Sequence, residues 1–103
     1  MPYELTLIIP RDSGYTHPTT FAFEGILCWE FDGFTRVDGV GGWRSVGENI
    51  IEEVSVYTVL FEPSPAETIG EVIARMQECI IREFREKAAY VTAREVLGGI
   101  KVA

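Results

Sequence analysis

The sequence predicts an α+β domain whose elements follow the order β-α-β-β-α-β. An alternating run opens the chain, two helical patterns lie further along it, and strand-like runs separate and follow those helices. A chain of 103 residues has room for one hydrophobic core, so we expect a single domain over residues 1–103.

The first strand and first helix are predicted from simple patterns. Side chains alternate over residues 3–9, as in a half-buried strand. Pro18 suits the first turn of a helix, and residues 21–31 then contain only two charged residues, Glu24 and Glu30. A helix that is apolar nearly all round is buried on more than one side. In so small a domain this pattern indicates a subunit interface.

Two strands are predicted in the middle of the chain. Residues 34–45 and 50–62 are joined by a short turn, which favours an antiparallel hairpin. The second of these strands is largely apolar on both faces, so it should be central and covered on both sides. Helices cover only one face of a two-layer sandwich. A second copy of the sheet is the simplest cover for the other face.

The second helix has the clearest start signal. Ser64, Pro65 and Glu67 fit the N-cap, the first helical position and the end of a capping box. Apolar residues then recur at helical spacing over residues 69–84, and residues 89–96 form a final strand. Two β-α-β halves in this order predict a ferredoxin-like sandwich, with a four-stranded antiparallel sheet in the order 4-1-3-2 and both helices on one face.

Charge excludes two classes of partner. The net charge is −7, and residues 1–62 hold the whole excess of acidic side chains. An acidic first half repels phosphate backbones and anionic lipid surfaces, so we expect neither nucleic-acid nor membrane binding. The chain begins with no signal-peptide pattern and has no apolar run of about 20 residues, the length that spans a bilayer. We therefore expect a cytoplasmic protein.

The cysteine and histidine content predicts neither a metal site nor a cofactor. Cys28 and Cys79 lie in separate predicted helices, far in sequence from each other, and neither is near His17. Both thiols are expected to be reduced and buried. His17 has no neighbouring nucleophile, so the sequence assembles no catalytic triad.

The predicted hairpin carries the cluster that most resembles a binding site. Its paired glycines, Gly41 and Gly42, permit close backbone approach, but no Lys-Ser or Lys-Thr step follows them, which excludes a phosphate loop. An indole next to a guanidinium can form a stacking platform that binds an anion. The structural alternative is a twisted hairpin whose tryptophan packs across the strands. The candidate ligand-binding residues are Arg36, Asp38, Trp43, Arg44 and Glu53.

The same hairpin resembles a small ferredoxin-like family of uncharacterised bacterial domains with a G-x-T-x-x-D-x-x-G-x-W-R strand and a following E-x-S strand. Val56 departs from the family, which tends to carry a lysine there, and the first strand lacks the usual Phe-Gly end. The resemblance implies the fold and no settled activity. The matching residues are Gly33, Thr35, Asp38, one glycine of the 41–42 pair, Trp43, Arg44, Glu53 and Ser55.

The architecture is also similar to that of trimeric nitrogen-signalling regulators, which bind nucleotides at the loop between strands 2 and 3 and in subunit clefts. This second resemblance is one of fold alone.

Two other functions remain open at this point. Removal of Met1 would leave Pro2 as a secondary amine, and Pro2 with Arg11 resembles the general base and carboxylate-binding arginine of 4-oxalocrotonate tautomerases. That chemistry needs an amine whose pKa is lowered in an apolar site. A heme- or oxygen-handling relative of the dimeric ferredoxin-like type would depend on His17 and predicts a Soret band.

The leading hypothesis is a non-enzymatic regulatory-type module. We expect a homo-oligomer, a dimer or a trimer, that assembles through the open sheet face and the first helix. It would bind a small anionic ligand or a protein through the hairpin between strands 2 and 3.

Overall fold

The computed structural model describes residues 2–11, 17–86 and 89–98, and the side chains of residues 17 and 45 lie outside the description. The elements are strand β1 (Tyr3–Pro10), helix α1 (His17–Phe31), strand β2 (Thr35–Ser45), strand β3 (Glu48–Phe61), helix α2 (Ile69–Phe84) and strand β4 (Tyr90–Glu95). Neither described helix is long and apolar enough to cross a membrane.

The strands form one antiparallel sheet in the order β2-β3-β1-β4. This confirms the predicted order 4-1-3-2 and the predicted ferredoxin-like α+β class. The two longest-range partners, β1 and β4, are the first and last strands of the chain, and they pair from Tyr3 opposite Glu95 to Ile8 opposite Tyr90. The strand β4 therefore forms one edge of the sheet and β2 the other, with β1 and β3 in the centre.

The hydrophobic core lies between the sheet and the two helices. Phe23 of α1 is fully buried and packs edge-on against Tyr57 of β3, at 5.3 Å between ring centroids, and against Phe84 of α2, at 5.1 Å. Such aromatic pairs add about 0.5–1.5 kcal/mol beyond the area they bury. The other fully buried core side chains are Leu5, Leu7, Ile9, Leu27, Val59, Val72, Met76 and Ile80.

Helix α2 begins one turn later than its predicted cap. Its N-cap is Thr68, whose Oγ1 accepts a hydrogen bond from the backbone N–H of Glu71 at 3.2 Å. Ser64 instead closes a separate turn, in which its carbonyl accepts from the N–H of Glu67 at 3.0 Å. Both Ser64-x-x-Glu67 and Thr68-x-x-Glu71 satisfy the capping-box pattern. The prediction chose the wrong one: in the structure Thr68 contacts the side chain of Glu71, whereas the side chain of Glu67 pairs with Arg75 of the helix.

The corrected cap gives a test of stability. Thr68→Ala removes the side-chain oxygen that accepts from the backbone N–H of Glu71, and this N–H has no acceptor within the helix. The substitution should therefore lower the free energy of unfolding by about 1 kcal/mol. Ser64→Ala is the matched control and should change it by less than about 0.5 kcal/mol. Urea denaturation measures both. Equal losses of stability in the two variants would contradict the assignment of Thr68, rather than Ser64, as the N-cap.

The two cysteines differ in exposure. Cys79 is buried, as predicted, and burial raises the pKa of its thiol above the ordinary value. Cys28 is exposed, so its predicted burial is wrong. It lies on the side of α1 that faces away from the sheet, where the absence of polar residues in the sequence suggested burial that the single chain does not provide.

The sheet face opposite the helices is covered by no described element. Its central residues are half-buried apolar side chains such as Ile8 and Val56, which are paired across β1 and β3. Next to them a row of threonines crosses every strand. The cross-strand pairing places in this row Thr35, Thr58, Thr6 and Thr92. The open face is thus part apolar and part hydroxyl-bearing, whereas the sequence led us to expect a largely apolar one.

The β2–β3 hairpin extends past the rest of the sheet. The pairing of β1 with β3 ends at Pro10 opposite Val54, but β2 and β3 remain paired as far as Ser45 opposite Glu48. We call residues 40–53 the arm, which projects about 20 Å at 3.4 Å per residue. Gly47 turns the chain at its tip with a φ of 80°, in a region that favours glycine.

The arm exposes several large apolar side chains. Val40 is 72% exposed, Ile51 is 75% exposed and Val46 is fully exposed. Isolated two-stranded hairpins are at best marginally stable. Contact with a second chain would bury this apolar surface and stabilise the arm.

Candidate functional site

The sequence-predicted site residues divide between the two faces of the hairpin. Neighbouring residues on a strand point in opposite directions, so Trp43 and Arg44 do not form one platform. Trp43 lies on the open face, above the position of Gly41. Arg36 and Asp38 lie on the helix side, because they pair with the core-facing residues of β3.

The helix side of the hairpin holds a polar network. Arg36 forms an ion pair with Glu24 at 2.8 Å, and the hydroxyl of Tyr57 donates to the same carboxylate at 2.7 Å. The hydroxyl of Ser55 donates to Asp38 at 2.7 Å, and Arg36 reaches that carboxylate at 3.6 Å. Ser55 is fully buried. These contacts join β2 and β3 to α1, which gives Arg36 and Asp38 a structural role.

Glu53 and Arg44 lie apart from that network. Glu53 is bound by Arg11, whose backbone N–H donates to its carbonyl at 2.9 Å and whose guanidinium lies 3.9 Å from its carboxylate. Arg44 is exposed and lines a shallow depression at the tip of the arm with Glu48 and Asn49. The structure therefore does not bring the predicted ligand-binding residues into one site.

The tautomerase pair is also separated. Pro2 and Arg11 flank the two ends of β1, about 30 Å apart at 3.3 Å per residue. The carbonyl of Pro2 accepts a hydrogen bond from the N–H of Val96 at 3.1 Å. One chain therefore cannot place both side chains against a single substrate.

A concave site lies on the open face, at the base of the arm. It is a cavity of about 850 Å³. The ring of Trp43 forms one wall, lying over Gly41 and beside Val54, which it helps to bury to 3% exposure. The cavity is lined by Ile8, Pro10, Gly41, Gly42, Trp43, Glu52, Arg85, Glu86, Ala89 and Tyr90.

Gly41 has a steric reason to be glycine. A Cβ there would overlap the far edge of the Trp43 ring and lie 3.1 Å from a methyl of Val54. Gly39, on the same face two residues earlier, has open space at that position. The predicted close backbone approach is thus made by the protein's own tryptophan.

Sequence reasoning did not identify Arg85, which lines the cavity. It caps the C-terminus of α2 in the left-handed region, with a φ of 56°. A residue other than glycine in that region costs about 1–2 kcal/mol. Strain of this kind concentrates at functional sites. The periodicity of α2 marks where the helix ends but carries no signal that an arginine follows in this conformation.

Tyr90 was also missed, although the fold prediction contained the needed signal. Tyr90 is 54% exposed and pairs directly with Ile8. Placing strand 4 beside strand 1 and matching their registers would bring Tyr90 to the open face. With Trp43 it gives the cavity two aromatic surfaces, next to one guanidinium and two carboxylates among the described lining residues.

No metal-binding group is found among the described residues, in which no three His, Cys, Asp or Glu side chains come together. The heme hypothesis depends on the side chain of His17, which lies outside the described residues, and it stays a prediction. The cavity therefore offers a ligand two aromatic rings to stack on, a guanidinium that can donate hydrogen bonds, and carboxylates that can accept them.

Comparison with known proteins places the fold. No protein-family model and no curated protein matches the chain. Among solved structures, it superposes on a divalent cation tolerance protein (Cut A1) from Thermus thermophilus with a TM-score of 0.68 and 13% identity, over 97% of this chain and 88% of that one. For CutA from the phytopathogenic bacterium Xylella fastidiosa the TM-score is 0.67 and the identity 14%, over 96% and 86%. At such identities the similarity shows the fold alone.

Proposed function

We propose that this protein is a small homo-oligomeric module that binds a small molecule at its β2–β3 hairpin. The observation that carries the proposal is the cavity of about 850 Å³ beside Trp43, which is large enough for a metabolite. The hairpin, β1, β4 and the end of α2 all contribute to its walls. A ligand that stacks on an aromatic ring and pairs with Arg85 fits this lining.

Assembly is supported by the arm and the open face. Both present apolar side chains that nothing described in the chain covers, and a second copy of the sheet would bury them. The row of threonine hydroxyls beside the apolar row gives the face hydrogen-bonding groups as well, as interfaces commonly have. A dimer and a trimer would each satisfy these requirements.

Fluorescence of Trp43 tests the ligand half of the proposal. The chain has two tryptophans, so Trp29→Phe leaves Trp43 as the single reporter. We expect a saturable change in its emission with a member of a panel of nucleotides, other anionic metabolites and divalent cations. The cations belong in the panel because the name of one structural neighbour refers to divalent cation tolerance.

The variant Arg85→Ala tests whether the ligand binds in the cavity. Loss of a hydrogen bond to a charged group costs about 1.5–3 kcal/mol, so binding should weaken roughly 10- to 100-fold. Arg82→Ala is the matched control, since Arg82 is an exposed α2 residue outside the cavity. Equal effects of the two variants would place the ligand elsewhere. No saturable response across the panel would leave a protein partner as the ligand of the hairpin.

A further inference from the structure

Helix α1 carries an exposed apolar stripe on the side facing away from the sheet. Phe21 is 75% exposed and Trp29 is 88% exposed. Ala22, Gly25 and Cys28 lie between them and are exposed as well. We call these five residues the outer stripe. They follow the i, i+3, i+4, i+7 spacing of a single helix face.

The outer stripe is free of charge. The two acidic residues of α1 that flank the outer stripe each form an ion pair with an arginine of another element. Glu24 pairs with Arg36 at 2.8 Å, and Glu30 pairs with Arg75 at 3.2 Å. Two copies of a chain with net charge −7 repel each other, so contact is favoured where neither copy presents a carboxylate.

Gly25 lies at the centre of the stripe, where no contact within the described part of the chain requires a glycine. A Cβ at that position would meet nothing within 4 Å. Glycine inside a helix costs about 0.5–1 kcal/mol relative to alanine. A small residue at this point does allow a second helix to approach closely from outside.

The stripe is symmetric about Gly25. The aromatic residues Phe21 and Trp29 lie four positions before and after it, and the small residues Ala22 and Cys28 lie three positions before and after it. In an antiparallel pair of helices with a two-fold axis at Gly25, Phe21 of one copy faces Trp29 of the other. A two-fold contact requires a surface that is complementary to itself in this way.

We propose that the outer stripe binds the same stripe on a second copy of this chain, with the two α1 helices antiparallel and crossing at Gly25. Small residues at the crossing bring the axes together, and each pair of aromatic side chains packs beside the crossing point. The proposal adds to the proposed function, since α1 lies on the opposite side of the sheet from the open face.

The area involved makes this a weak contact. With Phe21 75% exposed and Trp29 88% exposed, the two aromatic side chains offer on the order of 350 Å² per copy, or about 700 Å² for the pair. Stable interfaces bury about 1,200–2,000 Å² in total. The stripe therefore joins preformed oligomers reversibly, and the association depends on protein concentration.

Sedimentation velocity at increasing concentration tests the proposal. The wild-type weight-average mass should rise from that of the basal oligomer toward twice that mass. Trp29→Glu should remove the rise and leave the basal mass unchanged. Leu97→Glu is the control, because Leu97 is 91% exposed and the added charge is the same. A rise that survives Trp29→Glu, or its absence from the wild type, overturns the proposal.

This experiment separates the proposal from the proposed function. If the open-face oligomer does not form, the basal species is a monomer, and the stripe still predicts a monomer–dimer equilibrium. Loss of the Trp43 ligand response has no bearing on either mass.

A thiol cross-link tests the geometry. Ala22→Cys brings the introduced thiol opposite Cys28 of the partner copy, so oxidised glutathione should convert the pair into an intermolecular disulfide. In the wild type the two Cys28 residues are offset by about 9 Å along the helices, beyond the reach of a disulfide. Buried Cys79 takes no part. Ready cross-linking of the wild type, or none in Ala22→Cys, excludes the antiparallel crossing at Gly25.

Discussion

Phe84→Ala is expected to lower the free energy of unfolding by about 3–5 kcal/mol. Phe84 is fully buried at the end of α2, and its ring packs against Phe23 of α1. The substitution leaves a cavity where both helices meet the sheet, and removes an aromatic pair. Urea denaturation at fixed protein concentration measures the loss, because the stability of an oligomer depends on concentration.

Phe21→Ala is the matched control for this prediction. It deletes the same atoms from a ring that is 75% exposed, so unfolding at low concentration should change by less than about 0.5 kcal/mol. Comparable losses at the two positions would mean that the core does not lie where the burial of Phe84 places it.

Val37→Glu is expected to dissociate the proposed oligomer. The wild-type chain should sediment at a multiple of its 11.5 kDa mass at micromolar concentration. Val37 lies on the open face opposite Val56 and is 62% exposed in the single chain, so the fold tolerates a charge there. Inside an interface between two sheets the same charge would lose its water, at a cost of several kcal/mol.

The control for net charge is Ile81→Glu, on the exposed side of α2, which should leave the assembly intact. A wild-type monomer at micromolar concentration would remove the assembly half of the proposed function. An oligomer that resists Val37→Glu would show that another surface joins the subunits.

Local patterns were enough to predict the fold. Alternation identified β1, and helical spacing over residues 69–84 identified α2, although its start was predicted one turn too early, at Ser64. The β-α-β-β-α-β order then fixed the strand order. The predicted cap of α2 was wrong because two equivalent capping boxes follow one another in the sequence, and the pattern alone does not select between them.

The site was only partly predictable. Trp43 was identified from its glycine-rich setting, and it does line the cavity. Neighbouring residues on a strand point to opposite faces, so Arg44 could have been placed on the other face from Trp43. The prediction instead grouped the two residues because they are adjacent in sequence. Arg85 comes from a distant element in an unusual backbone conformation, which no periodicity reveals. The resemblance of the hairpin to a bacterial domain family stays a prediction.

The pairing of the first strand with the last has a consequence for biosynthesis. The ribosome synthesises β1 before the other strands of the sheet, whereas β4, which pairs with the outer side of β1, is synthesised after them. Until β4 arrives, the nascent chain carries an unpaired edge along β1, and such edges promote aggregation. Pairs such as Tyr3 with Glu95 also close nearly the whole chain into one loop, which slows folding. Rapid synthesis of the residues between β1 and β4, or a chaperone on the β1 edge, would protect this edge until the two strands pair.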